Sequence, residues 1–514
     1  MLEYSSFYLD LDDVTIDAQS IKCLTKEQCE KYMVFPYKIV ENTLFIAIAN
    51  PLHKDIVNTL KFITKRDLEF FTTSRVSIVN YINNYYGKDY TNKVLKELQQ
   101  EKTSTLKVDK EGKDNLNEVI GPAIEAIDSI INNGVMHHAS DIHIEPFKEH
   151  VTLRFRIDGT LKIFNTFSKN IYDSLCTRVK IISKMNIACK HIPQDGKFSQ
   201  TVNGEEYDFR VSSLPTINGE KFVIRILHKN CNVLTFNGLG FQIKDSEVLK
   251  QILKNRQGLI LITGPTGSGK TSTLYTMLKE INAEDRNLIT IEDPVEYRLE
   301  GINQVNVNNQ SELTFSKVLK ATLRQDPDVI MVGEILDEIT AETAIRAALT
   351  GHLVLTTLHT NDAASSINRL TDMNIPAYLI SDSIVAVLAQ RLARKVCEFC
   401  KVSYNPNYGE RMLLNLKEGE FLYKGTGCSK CNDTGYKGRT VAYELMVMDE
   451  KHKKIICCSS NSEDLRKYAK NNGMKSLKDY FKELVVKGET TVEEYLYNIQ
   501  EFNPQRVTEV HNAI

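Results

Sequence analysis

Residues 264–271 read Gly-Pro-Thr-Gly-Ser-Gly-Lys-Thr and follow the apolar run 259–262 after one residue, Thr263. The octapeptide fits the pattern G-x-x-x-x-G-K-[ST], in which backbone N–H groups and the start of a helix surround phosphate oxygens. A strand over 259–262 and a helix over 271–279 complete the expected order of strand, loop and helix. This stretch predicts a parallel α/β core that binds a nucleoside triphosphate.

Each residue type in this loop has a physical role in binding ATP. The glycines let the chain wrap around the phosphates, Lys270 neutralises the β- and γ-phosphates, and the Thr271 hydroxyl is a ligand for Mg²⁺. The residues expected to contact the nucleotide are Gly264, Pro265, Thr266, Gly267, Ser268, Gly269, Lys270, Thr271 and Ser272.

Two later apolar runs end in residues that suit a hydrolytic site. The run 328–333 is followed by Glu334, which we expect to hold Mg²⁺ through water or to position the attacking water. The run 353–358 is followed by His359, a candidate sensor of the γ-phosphate. Either residue alone is weak evidence, but behind a phosphate loop they indicate hydrolysis.

A third carboxylate follows the apolar run 288–291. Glu292 is a candidate general base, because a carboxylate at a strand end close to the phosphates is placed to take a proton from water. We expect Asp293 and Glu296 to orient it.

The composition indicates a globular protein of several domains. The 514 residues include 64 Lys+Arg and 66 Asp+Glu, so no excess of positive charge points to nucleic acid. A chain of this length is expected to form about three or four domains. The first residues are acidic, and no uncharged apolar run approaches a membrane span of about 18 residues. We expect a cytoplasmic protein, in which cysteines are thiols or metal ligands.

Shifts in composition along the chain predict its domains. Residues 88–116 are rich in Lys, Glu, Gln, Thr and Asp and lack apolar periodicity, as in a flexible linker. The predicted segments are an N-terminal α/β domain (1–87), this linker, a second α/β domain (117–235), the P-loop core (236–395), a tetracysteine sub-domain (396–445) and a C-terminal helical region (446–514).

Two C-x-x-C pairs predict a zinc site. Cys397 and Cys400 are separated by 27 residues from Cys428 and Cys431. Four thiolates of this spacing suit one tetrahedral Zn²⁺, and a redox role is the alternative. We interpret the remaining cysteines as packing residues, namely Cys23, Cys29, Cys176, Cys189, Cys231, Cys457 and Cys458.

The order of these motifs resembles the secretion ATPase superfamily that powers type II secretion and type IV pilus assembly. The resemblance covers nearly the whole chain. It rests on a Walker A box (264–271), an Asp box (290–297), a Walker B box (323–334), a His box (350–363) and the upstream motifs at 139–146 and 192–196.

The resemblance implies a RecA-like core, a PAS-like second domain and a first domain that docks on a membrane-platform partner. It implies a homo-hexamer at the cytoplasmic face of the bacterial inner membrane, with ATP, Mg²⁺ and Zn²⁺ as cofactors. A platform protein and a cytoplasmic-face docking protein are the implied partners. The tetracysteine insertion resembles that of assembly and secretion ATPases, which retraction motors lack.

The resemblance also assigns roles to arginines. Arg210 and Arg225 match the family's arginine fingers, and Arg324 matches a third arginine that contacts nucleotide; surface ion pairs are the alternative. Leu336 stands where the Walker B box normally continues with arginine.

These motifs predict an ATP hydrolase that drives assembly of a pilus or pseudopilus. The alternatives are a motor of the same type dedicated to DNA uptake, and a DNA-translocating ATPase. The latter is disfavoured because no basic stripe with interleaved aromatic residues accompanies the ATP site. A non-hydrolysing scaffold is disfavoured because the carboxylates expected for hydrolysis, Glu292 and Glu334, are both present.

Overall fold

The computed structural model divides the chain into two compact units, residues 1–230 and 231–514. The structure describes residues 5–11, 14, 16–75, 77–79, 81–82, 85–86, 91, 94–95, 120–228, 235–308, 311–458 and 462–499.

The first unit begins with a four-stranded sheet flanked by short helices. The strands lie in the order β1-β4-β3-β2, with β2 antiparallel to β3 and the other pairs parallel. The elements are β1 (Ser5–Tyr8), α1 (Ala18–Ile21), α2 (Lys26–Tyr32), β2 (Val34–Val40), β3 (Thr43–Ile48), α3 (Lys54–Thr64) and β4 (Asp67–Thr72).

The second part of this unit is a six-stranded antiparallel sheet with two helices. Its strand order is β7-β6-β5-β10-β9-β8, and both helices pack into its apolar core. The elements are α4 (Ile120–Met136), β5 (Ala139–Pro146), β6 (His150–Ile157), β7 (Thr160–Ser168), α5 (Tyr172–Ile182), β8 (Gln194–Val202), β9 (Glu205–Thr216) and β10 (Gly219–His228).

The second unit is built on a seven-stranded sheet in the order β13-β12-β14-β15-β11-β16-β19. Four of its inner strands are buried along their whole length, as expected for a parallel sheet with helices on both faces. Its elements up to the sixth strand are α6 (Phe236–Leu239), α7 (Ile243–Ile252), β11 (Gly258–Thr263), α8 (Lys270–Ile281), β12 (Leu288–Glu292), β13 (Asn303–Asn306), α9 (Phe315–Thr322), β14 (Val329–Val332), α10 (Glu338–Leu349), β15 (Leu353–Leu358), α11 (Ala363–Asp372), α12 (Ala377–Ser383) and β16 (Ile384–Val396).

The remaining elements include an insertion between the two edge strands. The prediction of a parallel sheet holds for six strands, whereas β19 runs antiparallel to β16. The elements are β17 (Lys401–Tyr404), α13 (Tyr408–Leu414), β18 (Leu422–Gly425), β19 (Tyr436–Val447), α14 (Glu450–Cys458), α15 (Ser462–Asn471), α16 (Leu477–Val486) and α17 (Val492–Ile499).

Two sequence predictions differ from this fold. Most of the predicted linker lies outside the described residues, but residues 91, 94 and 95 are helical and buried. Their side chains pack into the core of the second domain, where the Thr91 hydroxyl lies 2.7 Å from that of Ser129. The linker prediction failed there because three apolar or hydroxyl positions among charged residues give too weak a periodicity.

The prediction for the spare cysteines was right in part. Cys29 and Cys176 are buried, whereas Cys457 and Cys458 are exposed, so the last two are not packing residues. Cys231 lies outside the described residues. None of the described helices combines the length and apolar composition needed to cross a membrane.

Candidate functional site

Four neighbouring strands bring the predicted hydrolytic residues to one edge of the core sheet. Strands β12, β14, β15 and β11 are adjacent and parallel, so their carboxyl ends meet at the same edge. Glu292 ends β12, Glu334 follows β14, His359 follows β15, and the P-loop 264–271 follows β11. Ligands bind at this edge in open parallel sheets.

The P-loop conformation depends on its glycines and on one buried side chain. Gly269 has φ +87°, and a Cβ on Gly264 would lie 2.4 Å from the carbonyl oxygen of Gln390. The Gln390 amide is fully buried; it donates to the Ser268 carbonyl at 2.8 Å and accepts from the Thr273 hydroxyl at 3.0 Å. Strand β16 therefore supports the loop and the start of α8 from beneath.

Lys270 folds over the P-loop. Its ammonium donates to the carbonyl oxygens of Gly264 at 2.8 Å and Pro265 at 3.1 Å. Burial lowers the pKa of Lys270, the charge of Glu334 opposes this shift, and the charge of Arg391 adds to it. The ammonium is therefore held by two carbonyl oxygens, and a phosphate oxygen would replace them as its partner. Thr271 is exposed at the start of α8, as a magnesium ligand must be.

Glu334 and His359 approach each other at the strand ends. His359 Nε2 lies 3.4 Å from Glu334 Oε2, and both side chains are partly exposed. The loop after β15 is tied to the P-loop strand, because the N–H of Thr360 donates to the Thr263 hydroxyl at 2.9 Å. The predicted sensor and the predicted carboxylate therefore share one site.

Glu292 is placed differently. Its side chain is 3% exposed, and its carboxylate accepts hydrogen bonds from Thr290 Oγ1 at 2.6 Å, from Gln304 Nε2 at 3.1 Å and from the hydroxyl of Tyr275. Burial and the Glu292 carboxylate raise the pKa of Tyr275, which keeps this phenol a donor. These partners were missed in the sequence, which pointed to the neighbouring carboxylates Asp293 and Glu296.

The four predicted zinc ligands form one cluster. Their sulfur atoms lie within 4.8 Å of one another, with distances of 3.8, 3.8 and 3.6 Å between Cys397 and Cys428, Cys400 and Cys431, and Cys428 and Cys431. Tetrahedral ligands about 2.3 Å from zinc would be about 3.8 Å apart, so the cluster fits the ion.

One of these thiols is prepared for ionisation. Burial opposes ionisation of Cys431, but the N–H groups of Cys428 and Gly435 donate to its sulfur and lower its pKa to about 7. Metal ligands must be thiolates, so these N–H groups favour binding through Cys431, whereas burial raises the pKa of Cys397 and of Cys400.

The two predicted arginine fingers are cross-strand neighbours in the first unit. Arg210 on β9 pairs with Arg225 on β10, and Arg225 pairs in turn with Asp141 on β5. Arg225 Nε donates to Asp141 Oδ1 at 2.9 Å, yet its side chain remains 58% exposed. One carboxylate thus orients Arg225 while leaving it accessible.

Arg324 lies away from the P-loop of its own chain. It follows α9 and donates to the carbonyl of Lys320 at 3.1 Å. Asn287, which precedes β12, donates to the carbonyls of Gln325 at 2.8 Å and Asp326 at 2.9 Å. This segment therefore borders the amino-terminal edge of the sheet, opposite the P-loop. The fold does not support contact between Arg324 and a nucleotide on the same chain, and only a neighbouring chain's nucleotide remains as a proposal.

Two residues at the site were missed in the sequence. Gln390 and Arg391 directly follow the apolar run 384–389 of β16. Two polar residues inside a buried strand are a signal in the sequence that could have indicated a functional role. They were missed because only the three-dimensional order of strands places β16 beside β11.

Two protein families match the chain. The family T2SSE, described as Type II/IV secretion system protein, matches residues 117–497, and the MshEN domain matches residues 3–91. Two type IV pilus assembly ATPases named PilB are similar. The Thermus thermophilus protein is 39% identical over 95% of this chain and 56% of its own length. The Myxococcus xanthus protein is 37% identical over 96% and 89%.

A type II secretion system protein E from Pseudomonas aeruginosa is 44% identical over 73% of this chain and 75% of its own length. Among solved structures, the pilus retraction motor PilT with bound ADP has a TM-score of 0.50 at 28% identity, covering 74% of this chain and 98% of that one. The Legionella pneumophila ATPase DotB has a TM-score of 0.55 at 20% identity, covering 73% and 95%, which concerns the fold alone. This chain spans about half the length of the Thermus relative, and it belongs to the type II/IV secretion system protein family.

Proposed function

We propose that this chain is an ATP hydrolase that drives assembly of a pilus or pseudopilus from the cytoplasmic face of the bacterial inner membrane. The observation that carries the proposal is the convergence of the P-loop, Glu334 and His359 at one sheet edge, in a chain whose relatives are named assembly and secretion ATPases. The pilus assembly relatives align with 95% and 96% of the chain, against 73% for the secretion relative. This difference favours pilus assembly.

The residues of the P-loop edge suit the steps of hydrolysis. Lys270 would exchange its two carbonyl partners for phosphate oxygens, and the loop N–H groups would hold the β-phosphate. A magnesium ion held by Thr271 would neutralise charge on the phosphates. Glu334, steadied by His359, would orient the attacking water.

Glu292 remains our candidate for the general base. The residue is 3% exposed and its carboxylate accepts from three donors, which leaves one acceptor site for a proton from a water that reaches the buried group. If it accepts that proton, Glu292→Gln lowers kcat by about 10²-fold or more while leaving ATP affinity unchanged. The measurement is steady-state ATPase kinetics with a parallel binding titration.

A matched control keeps the Glu292 test informative. Tyr275→Phe removes one donor and keeps the carboxylate, so a base should retain most of its activity in this variant. A loss below a few-fold in Glu292→Gln, or equal losses in both variants, would reduce Glu292 to a structural acid.

We infer that the working unit is a homo-hexamer. Arg210 and Arg225 belong to a different unit from the P-loop, and in this proposal they act on a nucleotide when two domains close around it. ATPase activity per chain is therefore expected to rise with protein concentration. The measurement is the ATPase rate per chain across a dilution series, with the molar mass of the species measured by light scattering. Arg210→Ala hexamers should bind ATP without hydrolysing it. Full activity in a species of monomer mass would contradict the ring.

The partners follow from the same proposal. An inner-membrane platform protein and a docking protein at the cytoplasmic face are expected to hold the ring at the membrane, with the first domain as the contact. Stable nucleic-acid binding is not expected for a chain with a net charge of −2.

A further inference from the structure

The arginine that follows Gln390 has an unusual environment. Arg391 lies two residues beyond Ala389, which pairs with Thr263 immediately before the P-loop. Its guanidinium donates to the backbone oxygen and the side-chain oxygen of Asn361, both at 3.2 Å, and to the Gln390 carbonyl at 3.4 Å. A Cβ on Gly264 would touch that same carbonyl. The guanidinium is therefore fixed between the start of the P-loop and the loop after β15.

Arg391 has no ion-pair partner within the described ranges of the chain. Two carboxylates in its surroundings are engaged elsewhere. Glu444 accepts from the N–H groups of Ala363 at 2.7 Å and Leu477 at 3.0 Å. Asp362 binds Arg466 at 2.8 Å and caps α11.

A half-buried guanidinium normally has an anionic partner, because removal from water is costly for an unpaired charge. Burial lowers the pKa of Arg391, the charges of Glu444 and Asp362 oppose this shift, and the charge of Arg391 in turn lowers the pKa of Lys270. Lys270 and Arg391 are thus two cations near the P-loop, and Glu334 is the acidic group whose charge raises the pKa of Lys270. A phosphate group would neutralise both.

The position of Asn361 identifies which phosphate. Asn361 lies two residues after His359, on the loop that ends β15 between the P-loop strand and the Glu334 strand. His359 and Glu334, the predicted γ-phosphate sensor and the predicted water-positioning carboxylate, lie at this end of the strands, so we expect the γ-phosphate to face Asn361.

We propose that Arg391 contacts the terminal phosphate of ATP bound by the same chain, with Asn361 holding the guanidinium in place. This inference rests on the proposed ATPase function. It differs from the finger role of Arg210 and Arg225, because Arg391 shares a unit with the P-loop. Its contact with nucleotide therefore needs no residue of the other unit, and it distinguishes ATP from ADP.

The test is calorimetric titration of the full chain with Mg²⁺ and either ADP or a non-hydrolysable ATP analogue. Arg391→Gln is expected to weaken binding of the analogue by about tenfold or more, the scale of one lost charge-assisted hydrogen bond, and to change ADP binding much less. Arg391→Lys should recover only part of the loss, since an ammonium cannot hold Asn361 and phosphate in the same fork geometry.

Lys395→Gln is the matched control, because it removes one positive charge from the same strand and is expected to leave both affinities unchanged. Asn361→Ala, at an exposed position, should weaken binding of the analogue in the same direction if Arg391→Gln does not fold. Lys270→Ala separates the two proposals. Suppose that Lys270→Ala abolishes nucleotide binding. The role of Arg391 is then overturned if Arg391→Gln binds the ATP analogue normally, or if Arg391→Gln loses affinity for the analogue and for ADP equally. If Lys270→Ala binds normally, the ATP site itself is wrong.

Discussion

We expect Lys270→Ala to abolish ATP binding, and Glu334→Gln to leave binding intact while turnover falls by about 10²-fold or more. The two residues differ in when they act. The Lys270 ammonium already interacts with the P-loop carbonyls and would bind phosphate in the ground state. The Glu334 carboxylate, beside His359, acts as water attacks phosphorus.

The measurement is binding of ATP by titration and release of phosphate by the same preparations. Glu338→Gln is the control for Glu334, since it makes the same chemical change at an exposed position at the start of α10. Turnover near the wild-type rate in purified Glu334→Gln protein would refute the assignment.

The second large effect is expected from the cysteine cluster. Metal-binding free energy in such a site is also folding free energy, because the unfolded chain has no preformed site. Freshly purified protein should contain about one zinc per chain, measured by metal analysis. Cys397→Ser or Cys431→Ser should then give insoluble or inactive protein.

The chain offers a control for this prediction. Cys457 is exposed and outside the cluster, so Cys457→Ser should keep zinc content, solubility and activity. Wild-type protein without zinc would contradict the metal site, and a soluble, active Cys397→Ser protein would show that the metal does not hold the sub-domain together.

Much of the site was predictable because each motif is local. The P-loop, the carboxylate after β14 and the histidine after β15 are each signalled by a few residues next to an apolar run. The cysteine pairs are likewise short, and only their approach in space needed the structure to be confirmed.

The unpredicted parts depend on contacts distant in sequence. Gln390 donates to Ser268, and Glu444 accepts from the first N–H groups of α11 and α16, across separations that no periodicity encodes. Arg324 is a residue that the sequence assigned to the site although the fold places it elsewhere. A motif match placed it at a nucleotide, but the parallel strand order puts it at the other edge of the sheet.

Strand β16 connects the P-loop and the cysteine cluster. At Gln390 it holds the P-loop, and seven residues later, about 23 Å along an extended strand, it delivers Cys397 to the cysteine cluster. Binding couplings are reciprocal by thermodynamic necessity. By whatever factor a bound nucleotide alters the affinity of the cluster for its metal, the metal must alter the affinity of the P-loop for nucleotide by the same factor.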